Sequence, residues 1–168
     1  MTIVRGNSNG YLLRLGAIAL LAALALIAAG RGGSAMASGA QHTTSSAAVK
    51  TRKIKGLGTV LVNAKGRTLY VFARDKHSRV TCTGSCAQFW PPLKWKSSGK
   101  PKGGGSAKSK LLSSDKDPAG GRVVTYDKWP LYTYTGDSGP GQANGQNLDL
   151  NGGKWYVISP AGKVVEHS

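Results

Sequence analysis

Two cysteines and a nearby histidine are the residues whose types and spacing most directly suggest chemistry. Cys82 and Cys86 are separated by Thr-Gly-Ser, and His77 precedes them. Gly84 allows the backbone to bend until the two Cα atoms come within disulfide reach, about 4.4 to 6.8 Å. Since an exported chain meets oxidising conditions, we expect a structural Cys82–Cys86 disulfide.

The alternative use of these residues is a soft metal site. His77, Cys82 and Cys86, with Asp75 as a further ligand, would suit copper or zinc. The sequence has no paired Cys-x-x-Cys or His-x-x-x-His framework, which such sites usually show. The same spacing argues against a thiol-disulfide oxidoreductase. We therefore expect no cofactor, and keep a metal-binding or redox-associated module as the alternative function.

Two further hypotheses rest on acidic residues and a third on a serine, and the sequence favours none of them. The Gly-punctuated stretch with Asp137, Asn144, Asn147, Asp149 and Asn151 resembles a calcium loop, although such residues more often form Asx turns. Asp75 and Asp137 could act as a paired acid and base only if their environments moved their pKa values apart. Because the two residues are placed identically in their copies, we expect both to cap turns instead. A hydrolytic triad is disfavoured, because no serine after residue 55 stands in a Gly-x-Ser-x-Gly turn. The sequence predicts a protein that is not an enzyme.

The elements that must position these groups contain an internal repeat. Leu69-Tyr70-Val71-Phe72-Ala73-Arg74-Asp75 matches Leu131-Tyr132-Thr133-Tyr134-Thr135-Gly136-Asp137. In a strand, two aromatic residues spaced by two share one face, so each copy offers a ridge of two rings. The aspartate falls just past the strand, where its carboxylate can accept N–H bonds from the following turn. We interpret both copies as internal scaffolding.

Short β-type runs separated by turn residues set the fold class. Asn63-Ala64-Lys65-Gly66, Asp127-Lys128-Trp129 and Ser159-Pro160-Ala161-Gly162 each stand between two such runs, which is typical of hairpins. Glycine is frequent, at 24 of 168 residues. We predict an all-β protein in which two degenerate hairpin repeats pack as a small antiparallel sandwich or barrel-like domain, with at most a helical turn from Cys86 to Trp90.

This order of motifs resembles the bacterial secreted-repeat family, often lipoproteins, that carries a Tyr-x-(aromatic)-x-x-Asp motif. The residues that carry the resemblance are Tyr70, Phe72, Asp75 and Trp90 in the first copy and Tyr132, Tyr134, Asp137 and Trp155 in the second. The resemblance implies an envelope or secreted location and a small β-rich repeat unit, and it brings no established biochemical activity. A lysine-rich insertion between the copies departs from the family pattern.

The N-terminus is typical of an export signal. An uncharged apolar run from Leu15 to Ala29 is too short to span a bilayer, and Ala35-x-Ala37 offers small residues for cleavage. A retained membrane anchor is the alternative. Arg31 replaces the cysteine that a lipoprotein box requires, which makes lipid anchoring at that position doubtful. We expect a secreted protein or one of the extracytoplasmic cell envelope of a bacterium.

Charge and composition divide the chain. We predict a signal peptide at residues 1–37, a disordered basic tether at 38–55 and a secreted-repeat domain at 56–168. The domain divides into repeat 1 at 56–95, a flexible Lys/Gly/Ser insertion at 96–110 and repeat 2 at 111–168.

The formal net charge is +16, and the tether and the insertion carry most of the excess without any acidic residue. Such segments can adhere to anionic polymers of the cell wall or to membrane surfaces. We expect no specific nucleic acid partner, because the aromatic residues do not alternate with the lysines. An exposed Trp-Tyr surface for glycans is an alternative. The predicted function is a non-catalytic exported protein, with adhesion to anionic envelope polymers as its chemical basis.

Overall fold

The structure is a computed structural model that describes residues 48–75 and 79–167. The predicted signal peptide at 1–37 and the part of the predicted tether at 38–47 lie outside the described residues. Within them, the chain forms short strands, one helix and one 3-10 turn. In order these are β1 (Val49–Ile54), β2 (Gly58–Asn63), β3 (Tyr70–Phe72), α1 (Ser85–Phe89), β4 (Lys94–Trp95), the 3-10 turn (Ser109–Leu111), β5 (Leu112–Lys116), β6 (Arg122–Tyr126), β7 (Trp129–Pro130), β8 (Asp149–Leu150), β9 (Gly153–Ile158) and β10 (Val164–Val165). The predicted all-β class and the short helical turn are confirmed.

Antiparallel pairing organises three sheets. β1 pairs with β2. In the second sheet, β9 lies between β10 and β3 and also pairs with β8. In the third sheet, β6 lies between β4 and β5 and also pairs with β7. The turn from β6 to β7 has Asp127 at φ 47 and Lys128 at φ 67. Two consecutive left-handed residues give the reversal whose twist matches that of the flanking strands, so the predicted hairpin forms here without glycine.

The predicted reversal after β2 also forms. Asn63 Oδ1 accepts the N–H groups of Lys65 and Arg67, both at 3.0 Å. Leu69 N–H donates to Leu61 O at 3.0 Å, after which the chain leaves this hairpin. β3 pairs with β9 instead, from Tyr70↔Val157 to Phe72↔Trp155.

The expectation of a disordered tether is wrong for residues 49–54. They form β1, which pairs with β2 over its whole length, from Val49↔Asn63 to Ile54↔Gly58. Val49 is fully buried in the core. The strand was hidden in the sequence because its charged residues outnumber its apolar ones, while its backbone supplies the partner that β2 requires.

The expectation of a flexible insertion at 96–110 is also wrong over much of that range. Ala48 N–H donates to Lys102 O at 2.9 Å, and Gly104 N–H donates to Val49 O at 2.8 Å. Pro101 and Ala107 are buried. A Cβ atom placed on Gly105 would lie 2.6 Å from Thr51 Oγ1, so this glycine permits the close approach of the insertion to β1.

The two repeats exchange strands. The motif strand of the first copy, β3, pairs with β9 of the second copy. The motif segment of the second copy runs beside the end of the first, with Leu93 N–H donating to Leu131 O at 2.8 Å and Thr133 N–H to Pro91 O at 3.0 Å. Pro91 and Pro92 have no N–H to donate, which leaves this second pairing as an isolated bridge.

Two buried clusters form the core, and the motif strands separate them. Tyr70 and Phe72 lie in a cluster rich in aromatic residues. Leu69 and Val71, on the opposite face of the same segment, lie in a cluster that is mainly aliphatic. The shared face predicted for the two motif rings is therefore present, and the other face is buried as well.

Candidate functional site

At the centre of the molecule, the tyrosine of each repeat binds the aspartate of the other. Tyr70 OH donates to Asp137 Oδ2 at 2.8 Å. Tyr132 OH donates to Asp75 Oδ2 in the matching arrangement. Between them, Tyr70 and Tyr132 exchange backbone N–H···O bonds of 2.8 and 2.9 Å. The motif is thus completed across the pair of repeats and not within one copy.

Each aspartate also holds the loop that follows it, as the sequence predicts. Asp75 Oδ1 accepts Thr81 N–H at 2.8 Å. Asp137 Oδ1 accepts Asn144 N–H at 2.9 Å. Both carboxyl groups are buried, with relative exposures of 0% for Asp75 and 1% for Asp137.

The electrostatics of the two aspartates are alike. Burial raises the pKa of Asp75, while hydrogen bonds from Thr81 and Tyr132 oppose that rise. Burial likewise raises the pKa of Asp137 against the hydrogen bonds from Tyr70 and Asn144. A paired acid and base requires environments that move two pKa values apart. These two move together, which fits a structural role.

Four aromatic rings stack in one column in the order Phe72, Trp155, Trp90, Tyr134. The ring centroids are 4.3, 3.8 and 4.2 Å apart in that order. The planes of Trp90 and Trp155 differ by only 2°. Both tryptophans have a relative exposure of 0%, so the middle of the column is buried.

The two tryptophans differ in their polar contacts. Trp155 Nε1 donates to Leu150 O at 3.1 Å. Trp90 Nε1 is buried and has no hydrogen-bond partner within the part of the chain that the structure describes. The repeats are therefore equivalent in ring geometry but not in hydrogen bonding.

The predicted disulfide is present. Cys82 and Cys86 are bonded to each other, with Cα atoms 5.3 Å apart. Bonded sulfurs offer no thiolate to a metal, so the alternative site with His77, Cys82 and Cys86 is wrong for the oxidised protein. His77 lies outside the described residues. Among the residues described, no three His, Cys, Asp or Glu side chains are grouped closely enough to hold a metal ion.

Residues of the calcium hypothesis serve in turns and in an ion pair. Asn144 Nδ2 donates to Gly136 O at 3.1 Å. Asn147 and Asn151 both adopt φ 58, the left-handed conformation that asparagine tolerates in turns. Asp149 lies 3.9 Å from Lys154 Nζ. These residues thus have structural contacts or turn conformations of their own.

The fold brings together two basic stretches that are separate in the sequence. Because residues 102–107 dock along β1, the stretches 48–55 and 94–110 lie against each other. We call them together the basic strip. Its basic residues are Lys50, Arg52, Lys53, Lys55, Lys94, Lys96, Lys100, Lys102, Lys108 and Lys110, and it contains no acidic residue.

The charges of the basic strip are largely uncompensated. Within residues 48–75 and 79–167, only Lys94 of the strip forms an ion pair, with Asp117. No acidic residue precedes Asp75 in the chain, and none stands between Asp75 and Asp115. The strip therefore carries a net positive charge. Asp117 beside Lys94, and Asp115 and Asp127 in a depression that Lys100 and Lys110 also line, offset part of that charge.

Comparison with protein families agrees with this architecture. The Lipoprotein_15 family model, described as a secreted repeat of unknown function, matches residues 51–94 and 113–159. The chain belongs to this secreted-repeat family. The two matched ranges begin inside β1 and inside β5, which marks β1 as the first strand of repeat 1. No curated protein and no solved structure gives a significant match.

Membership of the secreted-repeat family places the protein outside the cytoplasm, in the envelope or the extracellular medium. No helix among the described residues is long and apolar enough to cross a membrane.

Sequence reasoning found the motif residues, the disulfide and the two basic stretches. It missed β1. In the two copies, β1 precedes β2 just as β5 precedes β6. A comparison of the two copies upstream of the motif was therefore the signal that could have found β1.

Proposed function

We propose that this protein is a non-catalytic exported module that adheres to anionic polymers of the cell envelope through the basic strip. The observation that carries the proposal is the docking of residues 102–107 on β1, which joins two acid-free basic stretches. Ten basic side chains on adjoining segments attract a polyanion more strongly than the same charges spread over two mobile linkers.

The interior supports a non-catalytic role. Both motif aspartates are buried and occupied by tyrosine hydroxyls and loop N–H groups. Their polar atoms therefore serve the fold and are turned away from solvent. Export without a lipid anchor, as Arg31 suggests, would leave the basic strip to retain the protein at the envelope.

The test is retention of the purified protein on isolated cell wall as salt increases. We expect binding at low ionic strength that falls steeply between about 0.05 and 0.5 M salt, because screening shortens the reach of the strip's charges. The variant Lys50→Glu/Arg52→Glu should lower retention at least tenfold. The matched control Arg79→Glu/Lys154→Glu makes the same change in net charge outside the strip and should keep most of the retention.

Three results would refute adhesion through this surface. One is wild-type protein that fails to bind the wall at low salt. The other is equal loss of retention in the strip variant and the control, which would show that only total charge matters. Removal of wall anionic groups should abolish retention of the wild type, and unchanged retention after that treatment would also contradict the proposal.

A further inference from the structure

The turn Asn63–Gly66 separates two depressions that lie at the edge of the basic strip. The first has a volume of about 230 Å³ and is lined by Ala48, Leu93, Trp95 and Val124, with Lys94 at its rim. The second has a volume of about 440 Å³ and is lined by Lys50, Thr51, Arg52 and Val62. Ala64 and Lys65 line both, so the two depressions adjoin each other at the turn.

The chemistry of the two depressions is complementary. The first exposes apolar carbon from Leu93 and Trp95, which are half-buried. The second presents Lys50, Arg52 and Lys65, none of which forms an ion pair within the described part of the chain. Ligand sites typically combine an apolar surface with a few polar groups that fix orientation.

The residues around the turn are held in place by the fold. Trp95 Nε1 donates to Gly99 O at 2.9 Å, which fixes the indole edge. Asn63 Oδ1 holds the turn through two N–H groups. A Cβ atom placed on Gly66 would lie 3.4 Å from Arg52 Nη2, so the guanidinium lies against the turn. Arg52 therefore lies beside the turn before any ligand arrives.

Resting on the proposed function, we propose that these two depressions form one site for an acidic sugar unit of the envelope polymer. The sugar ring lies over Trp95 and Leu93, and its phosphate or carboxylate is held by Lys50, Arg52 and Lys65. A cavity of about 150 Å³ accepts benzene, so the first depression has room for one six-membered ring. Arginine and lysine both bind phosphate and carboxylate, and arginine can do so through two parallel hydrogen bonds.

The experiment is a nuclear magnetic resonance titration of the ¹⁵N-labelled protein with four probes: glucose 6-phosphate, galacturonic acid oligomers, glucose and inorganic phosphate. We expect saturable shifts of the amides of residues 63–66 and 93–95 with at least one acidic sugar. That probe should bind at least tenfold more tightly than glucose or phosphate alone. The phosphorylated and carboxylated sugars distinguish the two sources of charge. The absence of these shifts with both acidic sugars would overturn the site.

Ala64→Glu is the most direct variant, because Ala64 is exposed and belongs to both depressions. We expect at least a tenfold loss of affinity for the acidic sugar, with an unchanged fold. Ala161→Glu, at an exposed position of another turn, should leave the affinity unchanged. Trp95→Ala should weaken the binding of the acidic sugar and of glucose alike, whereas Lys65→Gln should weaken the binding of the acidic sugar only. Equal affinities of wild type and Ala64→Glu would refute the site.

The outcomes separate this site from adhesion itself. Salt-dependent wall retention that Ala64→Glu leaves intact would refute the site and keep the proposed function. Saturable binding of an acidic sugar by a protein that does not bind the wall would keep the site and refute the adhesion.

Discussion

The aromatic interior and the basic strip use their charged groups in opposite ways. In the interior, each carboxylate is buried and accepts hydrogen bonds from a tyrosine and from its own loop. In the basic strip, ten basic residues lie on adjoining segments, and among the described residues only Lys94 has an ion-pair partner. Satisfied buried groups specify a fold, whereas uncompensated surface charge serves association. The comparison therefore predicts that changes in the interior alter stability and that changes in the strip alter binding.

The largest effect is expected from the ring column. Trp90→Ala should lower the free energy of unfolding by about 3–5 kcal/mol, because it removes a buried ring that stacks on two others. Urea unfolding measures this loss. The neighbouring Phe89→Ala, at 57% exposure, is the control and should change stability by no more than about 0.5 kcal/mol. Similar losses for the two variants would contradict the stacked core.

The reciprocal hydrogen bonds come next. Tyr70→Phe and Tyr132→Phe should each cost about 3 kcal/mol, because each leaves a buried carboxyl group without its hydroxyl donor. The two losses should be similar, since the contacts are equivalent. Tyr156→Phe lies on the neighbouring strand β9, is half-buried and should cost little. A loss in only one of the two motif variants would show that the repeats are not energetically equivalent.

The disulfide should contribute less than the ring column. Replacing both Cys82 and Cys86 with serine should lower stability by about 2 kcal/mol, since so short a loop restricts few unfolded conformations. Thermal unfolding with and without reductant measures the same quantity in the wild type. If the serine variant binds the wall as the wild type does, the disulfide loop is not needed for adhesion. If it loses wall binding, the loop supports the basic strip.

The pH dependence should carry the signature of the raised carboxyl pKa values. Burial raises the pKa of Asp75 and of Asp137 above 3.8, the ordinary value of an aspartate in an unfolded chain. At a pH between the pKa of the unfolded chain and that of the folded protein, the native state binds more protons than the unfolded state. The two aspartates therefore stabilise the fold below about pH 4, and this stabilisation is lost as the pH rises through the folded pKa. Asp75→Asn/Asp137→Asn should flatten this part of the profile. An unchanged slope would rule out these two groups as its source.

The smallest effect on stability should come from the strip. Lys50→Glu/Arg52→Glu should change the free energy of unfolding by less than about 0.5 kcal/mol, because both side chains are exposed. The same variant is expected to lose wall retention. A large loss of stability would mean that these side chains support β1, and the comparison between interior and strip would have to be abandoned.

Local patterns in the sequence were sufficient for the motif residues, the reversals and the disulfide, although not for every strand. The period-two spacing of Tyr70 and Phe72 gave their shared face, and Asn63 to Gly66 gave the reversal after β2. The short spacing of Cys82 and Cys86 gave the disulfide. Each of these features depends on neighbours within a few residues, which is why the sequence alone determined them.

Only the tertiary structure decided how the copies combine and which charges meet. Tyr70 and Asp137 are far apart in the chain, and no local pattern says that a tyrosine will bind the aspartate of the other repeat. The basic strip arises because residues 102–107 donate and accept backbone hydrogen bonds along β1, whose charged side chains conceal a strand. Pairing of backbone groups is nearly independent of side-chain type, so composition could predict the charge of these segments but not their place.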